Sequence, residues 1–278
     1  MRILSVHSHV ASGHVGNDAV ALPLQLLGAD VLAVHTLQFS NHPGHGAFGG
    51  RVFTAAEVAG VLRGLAAHGA LGACDGVLSG YLGEADTAAV VLEAVADIRH
   101  GNPRALYACD PVLGDDGRLY VSAQTAAALR ERLVPAADIA TPNAFELGFL
   151  TGMPTDSPAA ILAAARALAP RTVLVTSAGT AATPADATEM ILSEGEDAWR
   201  LRTPRLPRRF NGAGDMLAGL FLFHRLAGGD AVLALERAAA AVHAVLRRTV
   251  ADGRQELALV AAREEIVSPP TLFRAEPL

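Results

Sequence analysis

Asn211-Gly212-Ala213-Gly214-Asp215 is the stretch whose residue types and spacing point most directly to chemistry. Its glycines allow a tight turn with no Cβ in the way. The apolar run Met216 to Leu222 that follows has the pattern of a buried helix. A small-residue turn feeding a helix start presents unpaired N–H groups and the positive end of the helix dipole. Such a site takes an anion, most often phosphate. Asp215, at the lip of that helix, is placed to accept a proton from a hydroxyl attacking the bound phosphate. The arrangement suggests phosphoryl transfer to an alcohol. The alternative is a plain glycine turn with an Asp in the first helical turn, a common arrangement.

Composition narrows the choice. The chain has 278 residues, one large domain or two small ones, and 51% of the residues are apolar, ample for a substantial core. Net charge is −6, which gives no electrostatic case for nucleic acid. No apolar run reaches the roughly 20 residues that span a bilayer. The N-terminal residues read as a strand, without a signal-peptide pattern. Cys74 and Cys109 read as buried, reduced thiols, and the expected location is the cytoplasm. All 22 basic residues are arginine. A P-loop lysine and a lysine Schiff base are therefore both excluded.

The elements that must position the site follow from periodicity. Strands are predicted at 2–8, 31–37, 75–79, 105–109, 138–141 and 172–176. An antiparallel pair is predicted near a sheet edge at 189–192 and 199–201. Helices are predicted at 18–27, 54–68, 86–100, 122–133, 143–150, 158–168, 215–226, 231–248 and 256–267. Residues 38–50 (QFSNHPGHGAFGG) are too rich in glycine and polar groups for regular structure and read as a long functional loop. Alternating strands and helices imply one α/β domain over residues 1–278, with a mostly parallel sheet covered on both faces. The turn after the first strand lacks the dinucleotide fingerprint, since only Gly13 and Gly16 are present.

Ligands of such sheets bind outside the carboxyl ends of the strands. The residues expected there are Ser8, the loop from Phe39 to His45, Tyr81, Asp110, Asn143 with Glu146, Thr176 with Ser177, and Asp215. Asn143 and Glu146 are spaced i, i+3, so their side chains face one way. An amide and a carboxylate together suit Mg²⁺. The same spacing also makes a capping box, in which Asn143 is an N-cap and Glu146 its partner. His7, His9, His14, His35, His42 and His45 cluster early in the chain. Without Cys or carboxylate at zinc-like spacing they read as pocket or strand-end histidines.

Together these residues resemble pyridoxal kinase, of the ribokinase-like superfamily. GAGD at 212–215 and Asn-x-x-Glu at 143–146 are similar to superfamily motifs. SHVASGHVGN (8–17), QFSNH (38–42) and SGYLG (79–83) resemble the pyridoxal kinase branch. CDPVLGDDGRLYV, TPNAFEL and VLVTS extend the likeness over nearly the whole chain. The resemblance implies a ribokinase-like fold with a small flap over the site, and ATP-dependent phosphorylation of the 5′-hydroxymethyl of pyridoxal, pyridoxine or pyridoxamine. It implies Asp215 as general base and the amides of Gly212, Ala213 and Gly214 as anion hole. Asp110, Asn143 and Glu146 would handle Mg²⁺ and the ATP phosphates, and Thr176 and Ser177 a nucleotide phosphate. Asp115, in the turn 114–117, would lie in the flap near ATP. Ser8, Val15, Leu37, Phe39, His42, Pro43 and Tyr81 would hold the pyridine ring. A homodimer is expected, and a monovalent cation is a further candidate cofactor.

Two departures stand out. Many pyridoxal kinases continue QFSNH with Thr, where this chain has Pro43-Gly44-His45. Ala213 stands where a Thr is common. Hydroxymethylpyrimidine or another small alcohol is therefore the alternative acceptor. A non-catalytic vitamer-binding protein is the alternative from outside enzymology.

Overall fold

The computed structural model describes residues 1–115 and 117–278; Asp116 of the 114–117 turn lies outside the described residues. The strands, in chain order, are β1 (Arg2–Ser12), β2 (Asp30–Asn41), β3 (Gly50–Val52), β4 (Gly76–Ser79), β5 (Leu106–Cys109), β6 (Gly114–Asp115), β7 (Arg118–Leu119), β8 (Ile139–Ala140), β9 (Thr172–Val175), β10 (Ala187–Glu194), β11 (Asp197–Pro204) and β12 (Glu276–Pro277). The helices are α1 (Asn17–Leu26), α2 (Ala55–Ala67), α3 (Thr87–Gly101), α4 (Ala123–Ala128), α5 (Val134–Ala136), α6 (Ala144–Thr151), α7 (Pro158–Ala167), α8 (Ala213–Leu226), α9 (Ala231–Ala251) and α10 (Arg263–Val267).

Ten strands form one sheet in the order β12-β11-β10-β9-β8-β5-β4-β1-β2-β3. Its centre, from β9 to β2, is parallel, as expected for strands joined through helices. β10 and β11 run antiparallel over the length of the predicted edge pair, with β12 beyond them. β3 caps the other edge, also antiparallel. Leu78, Leu174, Phe221 and Leu235 belong to the apolar layer that α1, α8 and α9 build on one face. Leu4, Val77, Val91 and Leu129 belong to the layer under α2, α3 and α4 on the other. The expected α/β architecture, helices on both faces of a mostly parallel sheet, is what the chain adopts. β6 and β7 form a separate two-stranded hairpin, the small flap.

Chain order reverses at β1, which pairs with β2 on one side and β4 on the other. Ligand crevices of open α/β sheets form at such a switch point. β1 and β2 slip register between His7 and His9. Irregularities of this kind re-aim side chains next to sites.

Three expectations need correction. Residues 38–50 are not an irregular loop throughout. β2 continues to Asn41 because β1 extends to Ser12 and pairs with it, and a 3₁₀ turn covers Pro43–His45. Gly50 is there for close approach: a Cβ on it would lie 2.0 Å from the Gln38 carbonyl oxygen. The predicted helix 256–267 is reduced to α10. Leu257, Ala258 and Leu259 instead bury against the core, and the Ala258 N–H donates to Thr249 Oγ1 at 2.9 Å. The helix 122–133 passes from α4 into a π segment at Leu129–Leu133.

Candidate active site

Asp215 lies in the first turn of α8, whose N-cap Gly212 is left-handed at φ +85°. A Cβ on Gly212 would lie 2.1 Å from the His14 carbonyl oxygen, so the turn packs directly on the Ser12–Asn17 turn. That turn also donates: the Gly16 N–H reaches Asp215 Oδ2 at 2.6 Å. His7, on β1, places Nε2 3.2 Å from Asp215 Oδ1. One ligand atom from each of His7, Asp110 and Asp215 lies within 4.8 Å of the others. Burial would raise the Asp215 pKa, but the His7 ring and the Gly16 N–H outweigh it and hold the carboxyl below its ordinary range.

Asp110 follows β5, and its Oδ1 accepts from Thr141 Oγ1 at 2.8 Å. Burial, then repulsion from Glu146 and Asp215, pushes it up to about 8. Of the two neighbouring carboxyls, Asp215 is thus held low and Asp110 pushed up, as close like charges require.

Asn143 and Glu146 do form the capping box of α6. Asn143 Oδ1 accepts the Glu146 N–H, and Glu146 Oε2 accepts the Asn143 N–H, both at 2.9 Å. The pair reaches further. Glu146 Oε1 accepts the Leu113 N–H at 2.9 Å, and Asn143 Nδ2 donates to the Gly114 carbonyl at 2.8 Å. The box therefore anchors the base of the flap. Burial pushes Glu146 up to about 7, against the hydrogen bonds from Asn143, Leu113 and Gly114. Both its oxygens are engaged by backbone N–H groups. Asp115, on the flap, pairs with Arg209 of the loop before α8 at 2.9 Å.

Thr176 and Ser177 leave the end of β9. The Thr176 N–H donates to the Pro142 carbonyl at 2.9 Å, beside Asn143. Among the described residues Ser177 is the one non-glycine with positive φ, at 51°. Such strain concentrates at functional positions.

The residues expected around a ring lie at the ends of β1, β2 and β4. Ser8 Oγ is 3.2 Å from His7 Nδ1, and Val15 and Leu37 are buried. Phe39 packs against Phe48 with centroids 4.7 Å apart. Tyr81 is partly buried beside His7, its carbonyl accepting from Thr36 Oγ1 at 2.6 Å. His42 Nδ1 accepts the Gly44 N–H and lies 3.1 Å from Asn211 Nδ2. Pro43 opens the 3₁₀ turn, exposed. His45 pairs with Glu256 at 2.8 Å, and Glu256 also accepts the His14 N–H at 3.3 Å.

Residues 7, 110 and 215 thus meet at the switch point, while 143, 146, 176 and 177 gather at the flap side. His7, Gly80, Thr141, Asn211 and Glu256 had not been singled out as site residues. His7 belongs to the clustered histidines, Asn211 opens the 211–215 stretch, and Gly80 and Thr141 lie within SGYLG and TPNAFEL. Glu256 carries no signal and acts through contacts across a long sequence separation.

The family model for phosphomethylpyrimidine kinase matches residues 65–259. The pyridoxal kinase PdxY of Granulibacter bethesdensis is 48% identical, covering 99% of both chains. That of Rubrobacter xylanophilus is also 48% identical, covering 98% of this chain and 96% of its own. Pyridoxal kinase from Leishmania donovani, solved in complex with ADP and pyridoxamine, superposes with a TM-score of 0.93 at 30% identity, covering 100% of this chain and 99% of its own. A putative phosphomethylpyrimidine kinase from Bacteroides thetaiotaomicron superposes at 0.89 with 26% identity, covering 100% and 97%. The chain belongs to the pyridoxal kinase family.

Proposed function

We propose that this chain transfers the γ-phosphoryl group of ATP to the 5′-hydroxymethyl of pyridoxal, and of pyridoxine and pyridoxamine, giving the 5′-phosphate. The observation that carries the proposal is Asp215, an ionised carboxylate at the N-terminus of α8 beside the glycine turn. In this reading the first N–H groups of α8, from Gly212, Ala213 and Gly214, bind the transferring phosphoryl, which carries charge on its equatorial oxygens. Asp215 accepts the hydroxyl proton as the oxygen attacks phosphorus and the bond to ADP breaks. The Gly16 N–H keeps its carboxylate in place.

The oxygen donors suit a hard divalent cation, with Asp110 carrying a buried carboxyl toward the site. Mg²⁺ would be held by Asp110 and reached by Glu146 through water, because the oxygens of Glu146 already accept three backbone N–H groups. Bound there it would neutralise the β- and γ-phosphate charge. Thr176 and Ser177 would contact nucleotide phosphate, and the flap with Asp115 would cover it. Ser8, Val15, Leu37, Phe39, His42, Pro43 and Tyr81 would line the ring site. A homodimer and a cytoplasmic location complete the proposal; among the described residues no helix is long and apolar enough to cross a membrane.

A second reading keeps the chemistry and changes the acceptor to hydroxymethylpyrimidine, which the family model's name and the Pro43 substitution favour. Coupled ADP release on a panel of pyridoxal, pyridoxine, pyridoxamine and hydroxymethylpyrimidine decides between them. Turnover with a B6 vitamer at least tenfold above the pyrimidine supports the first reading. The reverse order overturns it, and ADP release from none of them leaves the non-catalytic binding protein.

A further inference from the structure

The His7 ring is 1% exposed. A Cβ on Gly80 would sit 2.0 Å from its Nε2 and Cδ2, so the glycine makes the space that the imidazole fills. Its Nδ1 accepts the Ser8 N–H at 2.8 Å, and the Tyr81 N–H points at the same atom from 3.4 Å. A nitrogen that accepts from backbone N–H groups carries no proton, so the ring proton of the neutral imidazole is on Nε2. Nε2 faces Asp215 Oδ1 at 3.2 Å, within ion-pair distance but off the hydrogen-bond axis, and has no aligned partner. Catalytic hydrogen bonds of empty sites are commonly long and tighten when substrate is bound.

His7, Asp110 and Asp215 could also be read as three ligands of a metal ion. That use needs the Nε2 lone pair, and hence a proton on Nδ1. The proton would point into the N–H groups of Ser8 and Tyr81. The backbone therefore selects a donor at Nε2, not a ligand.

We propose that His7 is a positioning residue, whose Nε2–H holds one oxygen of Asp215 while the Gly16 N–H holds the other, so that the base keeps a fixed rotamer toward the acceptor hydroxyl. The proposal rests on Asp215 being the base. It names a donor that no motif of the sequence marks.

The test is steady-state kinetics of H7L, H7M and H7Q with pyridoxal and ATP-Mg²⁺, alone and in a D215N background. Leu and Met keep apolar volume without a donor, whereas Gln can present an N–H near the Nε2 position. A hydrogen bond to a charged group corresponds to about 10–100-fold in rate. H7L or H7M, whichever folds, should lose that much kcat with both KM values within about threefold. H7Q should recover kcat to within a few-fold of wild type, and H7L should cost under twofold once Asp215 is Asn. An unchanged kcat in the folded apolar variant overturns the proposal. So does a loss in H7Q equal to that in H7L, since shape alone would then be at stake. A full further loss in the D215N background means that His7 acts elsewhere, and recovery of H7L by excess Mg²⁺ or Mn²⁺ makes it a ligand. If D215N itself turns over like wild type, the base assignment falls and the proposal falls with it. If D215N is inactive and only the His7 results fail, the base assignment stands.

Discussion

Asn211 Nδ2 lies 3.1 Å from His42 Nδ1, joining the loop that leads into the glycine turn to the end of β2. The two residues are 169 positions apart. In the proposed reading this contact helps register the phosphate side of the site to the acceptor side. Asn211→Ala should raise KM for pyridoxal several-fold, the range of one neutral hydrogen bond at about 0.5–1.5 kcal/mol. Initial-rate measurements varying each substrate check this. A rise confined to KM for ATP would show that the link serves only the nucleotide side.

Asp215→Asn keeps an oxygen for the Gly16 N–H and removes the proton acceptor. We expect kcat to fall by roughly 10²–10⁴-fold while ATP binding, followed calorimetrically, stays within about twofold. Near-wild-type turnover in a pre-steady-state assay would take Asp215 out of the chemistry.

Glu146→Ala strips acceptors from the N–H groups of Asn143, Leu113 and Gly114. A lost cap and buried unpaired N–H groups together cost about 2–4 kcal/mol. For a chain this size that lowers Tm on the order of 5–10 °C. We also expect a higher Mg²⁺ concentration for half-maximal activity. A lower Tm with an unshifted Mg²⁺ dependence would make Glu146 a structural cap alone.

Burial, then the charge of His9, holds His35 down to about 4; burial, then Arg237, does the same for His224. A ring that binds protons more weakly when folded than its unfolded value of 6.5 stabilises the fold above pH 6.5. That contribution is lost as pH falls toward 4. Each ring gives a slope of up to about 1.4 kcal/mol per pH unit in this window, less whatever solvent screening removes. The urea midpoint of wild type should therefore fall more steeply than that of His224→Gln as pH drops from 7 to 4.5. Parallel curves would show that His224 does not titrate with unfolding.

Pro43→Thr returns a hydroxyl to the turn after QFSNH. It should lower KM for pyridoxal several-fold with kcat within a few-fold, because the site of phosphoryl transfer is untouched. If wild type prefers hydroxymethylpyrimidine and the substitution does nothing for pyridoxal, the pyrimidine reading replaces the B6 one.

The helices and parallel strands were legible because their periodicity and caps are local: Thr54, Asn143 and Asp230 each sit where a cap was needed. Asp110 and Asp215 were legible because strand ends and glycine turns announce themselves. Residues 38–50 misled because glycines that permit close strand approach look the same, in sequence, as glycines that permit disorder. The spacing of Asn143 and Glu146 fitted a metal pair or a cap; the accepted N–H groups establish the cap, and the Mg²⁺ dependence of Glu146→Ala tests the other role. Glu256 carries no local signal, since it acts on partners brought near by the fold.

The hydrogen bond from Gly16 to Asp215 spans 199 residues. It closes only after β1, the crossover helices and α8 have all assembled. Contacts of such high sequence separation carry the full loop-closure entropy and form late. During synthesis Asp215 has no fixed orientation until α8 has left the ribosome and docked against the Ser12–Asn17 turn. On refolding, far-UV ellipticity should therefore recover before kinase activity, and that lag times the closing of the site.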